Sequence, residues 1–451
     1  MGRPSSILCI EPKTPNLNEY SAFIGYFPLL GPVGMATQLK QNGYNVSVVD
    51  ENITPILKSD YRRNNVIIIT ILTTTAPRAY EIAIAYRKEN PQGRVLIGGP
   101  HATFMPEEAL RFADNVGRFE GEKIIEGMVL GDYKRGTVVD GSPVQNLEDI
   151  PFPDLSLIRG YKKKLAPVWG TRGCPHDCDF CSVTGIYGRK QRRLPIENVV
   201  EQFRRGRDAK NLFAYDDNIA ANRKWMKGLL ERLIEEKFDT YWINQVRSEV
   251  GKDDELLELL QKAYCSTVCV GYESEDPGKL KEYGKGKSLS ARESVEGFHK
   301  HKIAVQGMFI FDELTDYLSL PVDYLQISIL TPIPGSELFE RVRKNNLFID
   351  GMNPLENPKW WRYFDGGHVV YHDPLNRGKQ ESLEKLIEIQ KRVVEILTDF
   401  YSFGNIFKKK KLKGGIDWKR APFWLIAQKA RRQKRGYVDF LKKLKNKGNQ
   451  T

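Results

Sequence analysis

Cys174, Cys178 and Cys181 fall in one short stretch, Cys-Pro-His-Asp-Cys-Asp-Phe-Cys, and make a CxxxCxxC spacing. Thiolates are soft ligands that suit iron–sulfur clusters and zinc. A [4Fe–4S] cube usually takes four cysteines, so a local triplet leaves one iron open to a substrate or cofactor. The same residues also admit a structural zinc site with His176 as fourth ligand, or three unrelated thiols. Zinc sites favour paired CxxC spacings, and no second pair lies at a matching distance, so the spacing favours the cluster. Cys9, Cys265 and Cys269 are scattered and read as small buried apolar residues. Six cysteines in 451 residues make no disulfide framework, and a reducing cytosol is the expected compartment.

Other groups sit where chemistry would want them. Asp216-Asp217-Asn218, Gln245 with Arg247, Glu273-Ser274 and Thr331-Pro-Ile-Pro334-Gly335 each close an apolar run. Earlier in the chain come Thr73-Thr74-Thr75, Gly98-Gly99-Pro-His101 and Glu120-Gly121-Glu122. Backbone amides in such loops approach phosphates and amide-bearing ligands closely. Read alone, the glycines are also tight turns, and the Asp and Asn residues are also helix N-caps.

The elements that must position these groups alternate. Apolar runs at 6–10, 44–50, 66–72 and 94–97 read as strands, with helices at 34–42, 79–89 and 106–112. That alternation predicts an α/β domain over residues 1–140, a doubly wound parallel sheet with ligands beyond the carboxyl ends of its strands. A proline-marked connector, 141–165, leads to a second series. Its strands are expected from 166 and at 211–215, 240–246, 267–272, 305–311 and 324–330, with helices at 196–206, 223–236, 253–264, 291–300 and 337–345. Six strands with the cysteine loop after the first predict a partial (β/α)6 barrel over 166–345, with chemistry at the C-terminal strand ends.

With Phe180 just before the last cysteine, Gly170-Thr-Arg-Gly173 ahead of the loop and Gly185-Ile-Tyr-Gly-Arg-Lys190 after it, the stretch resembles the signature of the radical S-adenosylmethionine (SAM) superfamily. The resemblance implies that Cys174, Cys178 and Cys181 hold three irons and that SAM chelates the fourth. It places the SAM amino group on Asp216, Asp217 and Asn218, a carboxylate on Arg247, and ribose or amino-acid atoms on Glu273 and Ser274. Adenine falls to the turn at Pro334. The loops at Thr73–Thr75, Gly98, Gly99 and His101, and Glu120, Gly121 and Glu122 resemble the cobalamin-binding domains that precede many such cores. His101 lacks the D-x-H-x-x-G setting that gives cobalt a histidine, so the resemblance implies cobalamin bound base-off. The likeness is to class B radical SAM methyltransferases, in the branch of the hopanoid methylases. Those enzymes methylate unactivated carbons, taking one SAM for the methyl group and a second for the radical. A cyclase or rearrangement enzyme of the same cofactors, and a non-catalytic membrane- or RNA-binding relative, remain alternatives. A reductant such as flavodoxin or ferredoxin and a small-molecule or lipid substrate are the implied partners.

Two features depart from this pattern. Only residues 312–323 join the fifth and sixth barrel strands, and Pro321 shortens any helix there, so one turn or a local opening of the wall is expected. The net charge of +12 is also uneven: Lys408 to Lys447 hold 16 Lys/Arg against Asp417 and Asp439, leaving the rest of the chain at −2. Residues 346–404 read as a helical C-terminal cap, with an aromatic stretch Trp360–His368 that either lines a substrate cavity or packs as core. Residues 405–451 form a basic, aromatic tail, Ala421-Pro-Phe-Trp-Leu-Ile426 among lysines and arginines, that suits the inner face of a membrane better than nucleic acid. No apolar run approaches the roughly 18 residues of a membrane span, and Met1-Gly-Arg opens no signal-peptide pattern.

Overall fold

A parallel strand needs both faces covered, and the run Val66-Ile-Ile-Ile-Thr70 (β3) supplies both. Its Ile67 and Ile69 enter one apolar cluster and its Val66 and Ile68 another, on the opposite face. Full burial of each such side chain is worth about 1.5–3 kcal/mol. The computed structural model describes residues 6–15, 28–162, 165–286, 288–402 and 440. Around β3 lie β1 (Ile7–Glu11), β2 (Val46–Asp50), β4 (Arg94–Gly98), β5 (Asn115–Arg118) and β6 (Thr137–Asp140), in the order β2-β1-β3-β4-β5-β6 with every pair parallel. This is the doubly wound sheet expected, but with six strands where the sequence reading has four. The additional β5 and β6 are four residues each and carry polar side chains. Asn115, fully buried, turns its amide onto Thr137 Oγ1 at 3.0 Å and Lys134 O at 2.7 Å, so a hydrogen bond rather than an apolar face registers the pair.

The second sheet runs in sequence order, β7 (Leu165–Val168), β10 (Asn211–Ala214), β11 (Trp242–Val246), β12 (Cys265–Glu273), β13 (Ala304–Ile310) and β14 (Tyr324–Ser328), all parallel. Helices Ile196–Gly206, Arg223–Glu235, Asp254–Lys262 and Ala291–Lys300 alternate with its strands, which is the partial barrel expected. The short crossover is reduced to one turn, Tyr317–Ser319, and β13 still pairs with β14 over five residues, so the wall stays closed there. Asp312 replaces the missing helix as an organiser: its carboxylate accepts from the backbone of Leu314 and Thr315 and from the hydroxyls of Thr315 and Ser274. The C-terminal helix Leu383–Phe400 packs against β14 and this turn, supplying apolar cover where a crossover helix would stand.

The aromatic stretch is core. Trp361 and Phe364 are buried, and Trp361 Nε1 donates to Glu108 of the N-terminal region at 3.0 Å. Among the described residues no helix is long and apolar enough to cross a membrane. Apart from Phe440, the basic tail and its expected membrane contact lie outside the described residues.

Candidate active site

The cysteine loop is an excursion from a two-stranded ribbon. β8 (Thr171–Arg172) pairs antiparallel with β9 (Arg192–Arg193), and everything between them projects from that base. Gly173 opens the loop at φ +88°, and a Cβ there would lie 2.8 Å from Lys190 O, so glycine is required. The loop's backbone is tied at both sides: Asp179 N donates to Tyr283 O, and Leu338 N donates to Asp179 O. Phe180 meets the Tyr283 ring edge-on at 5.9 Å. The three thiols are free and half-buried. Burial pushes Cys174 and Cys178 up and Cys181 up to about 12, with Lys285 and Arg247 opposing the rise at the first two.

A rim of charge faces this loop. Asp216 is buried and accepts from Gly170 N, at 3.1 and 3.2 Å, so it fixes the approach to the loop. Asp217 instead opens onto the cleft, close enough to raise Cys174 and Cys181. Desolvation pushes both aspartates up to about 6. Asn218 is buried, its carbonyl accepting from Gln191 Nε2 at 2.8 Å. Arg247 is held by Glu249 Oε1, Lys285 O and Ser288 Oγ at 2.9–3.1 Å. Glu273 ends β12 at φ +65°, beside a register shift against β13, a conformation costing about 1–3 kcal/mol for a side-chain residue. Its carboxylate accepts from Lys285 Nζ at 2.6 Å, and Lys285 also donates to Gly271 O at 2.7 Å. Lys285 is a rim residue that carries no motif. Ser274 is engaged with Asp312 at 2.7 Å, behind the rim. Pro334 is buried, and the ring of Phe104 lies against Gly335 beside it: a Cβ on that glycine would come within 2.3 Å of the ring.

At the carboxyl ends of β3, β4 and β5 there is a cavity of about 150 Å³. Gly98, Gly99, Glu120, Gly121 and Glu122 line it, with Arg172, Ile186 and Tyr187 from the cysteine loop closing one side. Gly99 stands at φ +101°, where a Cβ would meet Ile71 N and O at 2.9 Å. Thr73, Thr74, Thr75 and His101 are not on its wall. Thr75 Oγ1 caps its own turn at Leu72. His101 is buried, with Nε2 3.2 Å from Glu108 Oε1 and Nδ1 3.4 Å from Thr73 Oγ1. Burial alone would raise Glu108, but hydrogen bonds from His101, Trp361 and Tyr80 hold it below the usual carboxylate range.

Residues 170–317 match the radical SAM superfamily, and residues 26–129 match the B12 binding domain. The chain carries a radical SAM domain and a B12-binding domain. It is similar to bacteriochlorophyllide d C-12(1)-methyltransferase of Chlorobaculum tepidum, 29% identical over 80% of this chain and 81% of that protein. Hopanoid C-2 methylase of Rhodopseudomonas palustris is 25% identical over 85% of this chain and 79% of its own. Among solved structures, the radical SAM methyltransferase TsrM of Kitasatospora setae, with cobalamin and a [4Fe–4S] cluster bound, superposes with a TM-score of 0.64 at 14% identity. That match covers 95% of this chain and 99% of TsrM.

A radical SAM domain implies a [4Fe–4S] cluster and SAM, and a B12-binding domain implies cobalamin. The residues present fit these groups. Among the described residues no three His, Cys, Asp or Glu side chains converge on one point, as a single ion requires. A cube takes each thiolate on a different iron, so three half-buried thiols spread along one loop suit it. Lys285 and Arg247 beside them offset the charge that deprotonated ligands bring. The cavity's glycines let backbone approach a ligand closely, and its volume admits one part of a cobalamin-sized molecule.

Proposed function

We propose that the protein is a cobalamin-dependent radical SAM methyltransferase that methylates an unactivated carbon of a small-molecule or lipid substrate. The observation that carries this is the shared wall. Arg172, two residues before Cys174, lines the same cavity as Gly98, Gly99 and Glu122, so one interface serves the cysteine loop and the B12-binding domain. Similarity to the two methyltransferases over at least 80% of the chain supports the same reading. When bound, the cluster with SAM supplies a carbon-centred radical that removes a substrate hydrogen, and cobalamin supplies the methyl group.

The chain's own residues bind and orient. Cys174, Cys178 and Cys181 hold the cluster. Asp217 faces the cleft and receives the SAM amino group, while Asp216 keeps the loop entrance in place. Arg247, braced by Glu249, takes the SAM carboxylate, and Glu273, oriented by Lys285, takes a ribose hydroxyl. The Pro334–Gly335 turn, braced by Phe104, borders the adenine. Gly98, Gly99, Gly121 and Glu122 would form the cobalamin wall, and His101, held by Glu108, stands off that wall. Holding the reacting groups in line and excluding water is the protein's share of the catalysis. A small one-electron carrier such as flavodoxin or ferredoxin is the reductant, and residues 405–451 are the segment that meets an anionic membrane surface.

The test is anaerobic reconstitution with iron, sulfide and cobalamin, followed by mass spectrometry of cell extracts incubated with the enzyme and SAM. A metabolite that gains one CH2 only when both cofactors are loaded supports the reading. SAM cleavage with no product of increased mass, across extracts containing lipids and pigments, overturns it.

A further inference from the structure

Glu120 was expected to face cobalamin, yet its carboxylate is occupied. It is 1% exposed and accepts from Val144 N at 3.0 Å, Arg172 Nη1 at 3.1 Å and Arg192 Nη1 at 3.0 Å, and Arg192 Nη2 completes a fork on Oε1. Arg192 is itself 6% exposed, and Arg172 reaches on to Glu122 Oε1 at 2.6 Å. Arg172 and Arg192 are the paired residues of the β8–β9 ribbon, so they stand at the two ends of the cysteine loop. One carboxylate of the N-terminal region therefore grips both ends. The same seating brings Ile186, Tyr187 and Arg172 into the cavity wall.

We propose that Glu120 is a positioning residue: by gripping Arg172 and Arg192 it seats the cysteine loop against the cavity, so that filling the cavity and loading the cluster favour each other. The coupling rests on the reading of the cavity as the cobalamin site. A ligand in the cavity touches Arg172, Ile186 and Tyr187 only when the loop is seated, so it shifts the loop towards that state. A cluster that orders the loop raises the ligand's affinity by the same factor, because linkage is reciprocal. Removing one partner of a buried charge network leaves the others uncompensated, so truncating Glu120 or Arg172 loosens the seat.

The experiment titrates hydroxocobalamin, followed by its absorption, into the full chain with and without its reconstituted cluster. In the wild type the cluster-loaded form should bind about five-fold or more tightly. In Arg172→Met and Glu120→Gln that ratio should fall to about one while iron content is retained, with Arg192→Lys between. Arg172 lines the cavity, so its variant also loses a contact made only in the seated state. Arg192 does not line it, and a fall in the ratio in Arg192→Lys and Glu120→Gln reports the grip, whereas a merely structural role leaves the ratio intact. If Glu120→Gln fails to fold, Arg192→Lys and the wild-type ratio decide. Cobalamin binding with a wild-type ratio of one, or a ratio unchanged in the variants, overturns the coupling alone. Absence of cobalamin binding in either wild-type form overturns the functional reading with it.

Discussion

Gly98, Gly99, Gly117 and Gly121 line the N-terminal cavity beside Met35, Ile124 and Met128, whereas Asp217, Arg247, Glu273 and Lys285 face the cysteine loop across the barrel rim. The first surface offers mainly backbone and apolar walls, with its charges Glu120, Glu122 and Arg172 paired among themselves, and the second offers placed charge. A large, mostly neutral ligand is recognised by shape and close approach, and a small zwitterion by opposed charges at fixed positions. Substitutions should therefore fail differently in the two regions: added volume disables the cavity, and lost charge disables the rim.

The largest effect belongs to the rim's own loop. Replacing any of Cys174, Cys178 or Cys181 by alanine should abolish 5′-deoxyadenosine formation under dithionite, while Cys265→Ala, buried in the core, leaves it intact; iron analysis and product assay check both. Next comes the cavity. Gly117 has ordinary backbone angles, but a Cβ there would meet Met128 Sδ at 3.3 Å and Ile124 Cδ1 at 3.4 Å. Gly117→Val should weaken hydroxocobalamin binding by at least about ten-fold, near 1.4 kcal/mol, and leave SAM cleavage in place. Simultaneous loss of SAM cleavage would erase the contrast between the regions.

Lys285→Met should come third. Lys285 and Glu273 are 7% and 13% exposed, and removing one partner of such a pair costs about 3 kcal/mol. Urea denaturation should show that loss, together with weaker SAM binding. A smaller, graded effect is expected from pH. Asp217 is raised to about 6, so it is charged above that pH and neutral below it. SAM affinity should rise through pH 6, level off above pH 7, and be about ten-fold weaker at pH 5 than at pH 7. Asp217→Asn should flatten the profile. The smallest effect is spectral: His101→Gln should leave the absorption of bound cobalamin base-off and unchanged.

What was legible in the sequence was what is contiguous. The cysteine triplet, Asp216–Asn218 and the Gly98-Gly99 turn each declare themselves within a few residues, and strands such as β3 declare themselves by an unbroken β-branched run. Lys285 and Arg192 did not, because each is defined by a partner reached only in the fold, 12 and 72 residues away. In a chain with 69 lysines and arginines a single cation carries no signal. Glu120 was visible as part of Glu120-Gly121-Glu122, but its task was not, since a carboxylate after a strand reads alike for ligand and for arginine. From the sequence, the short crossover admits either one turn or an opening of the wall. It is closed by Asp312 and by a helix some seventy residues further on, a contact no local pattern announces.

The central claim, that one interface brings both cofactors to one substrate carbon, is tested most directly by isotope transfer. The reconstituted enzyme is supplied with SAM carrying a trideuterated methyl group and incubated with extract. The account predicts a product carrying the intact trideuterated methyl group, formed together with S-adenosylhomocysteine and 5′-deoxyadenosine, lost in Cys178→Ala and strongly reduced in Gly117→Val at limiting cobalamin. A product that carries no label, or one still formed by Gly117→Val with cobalamin absent, would contradict it.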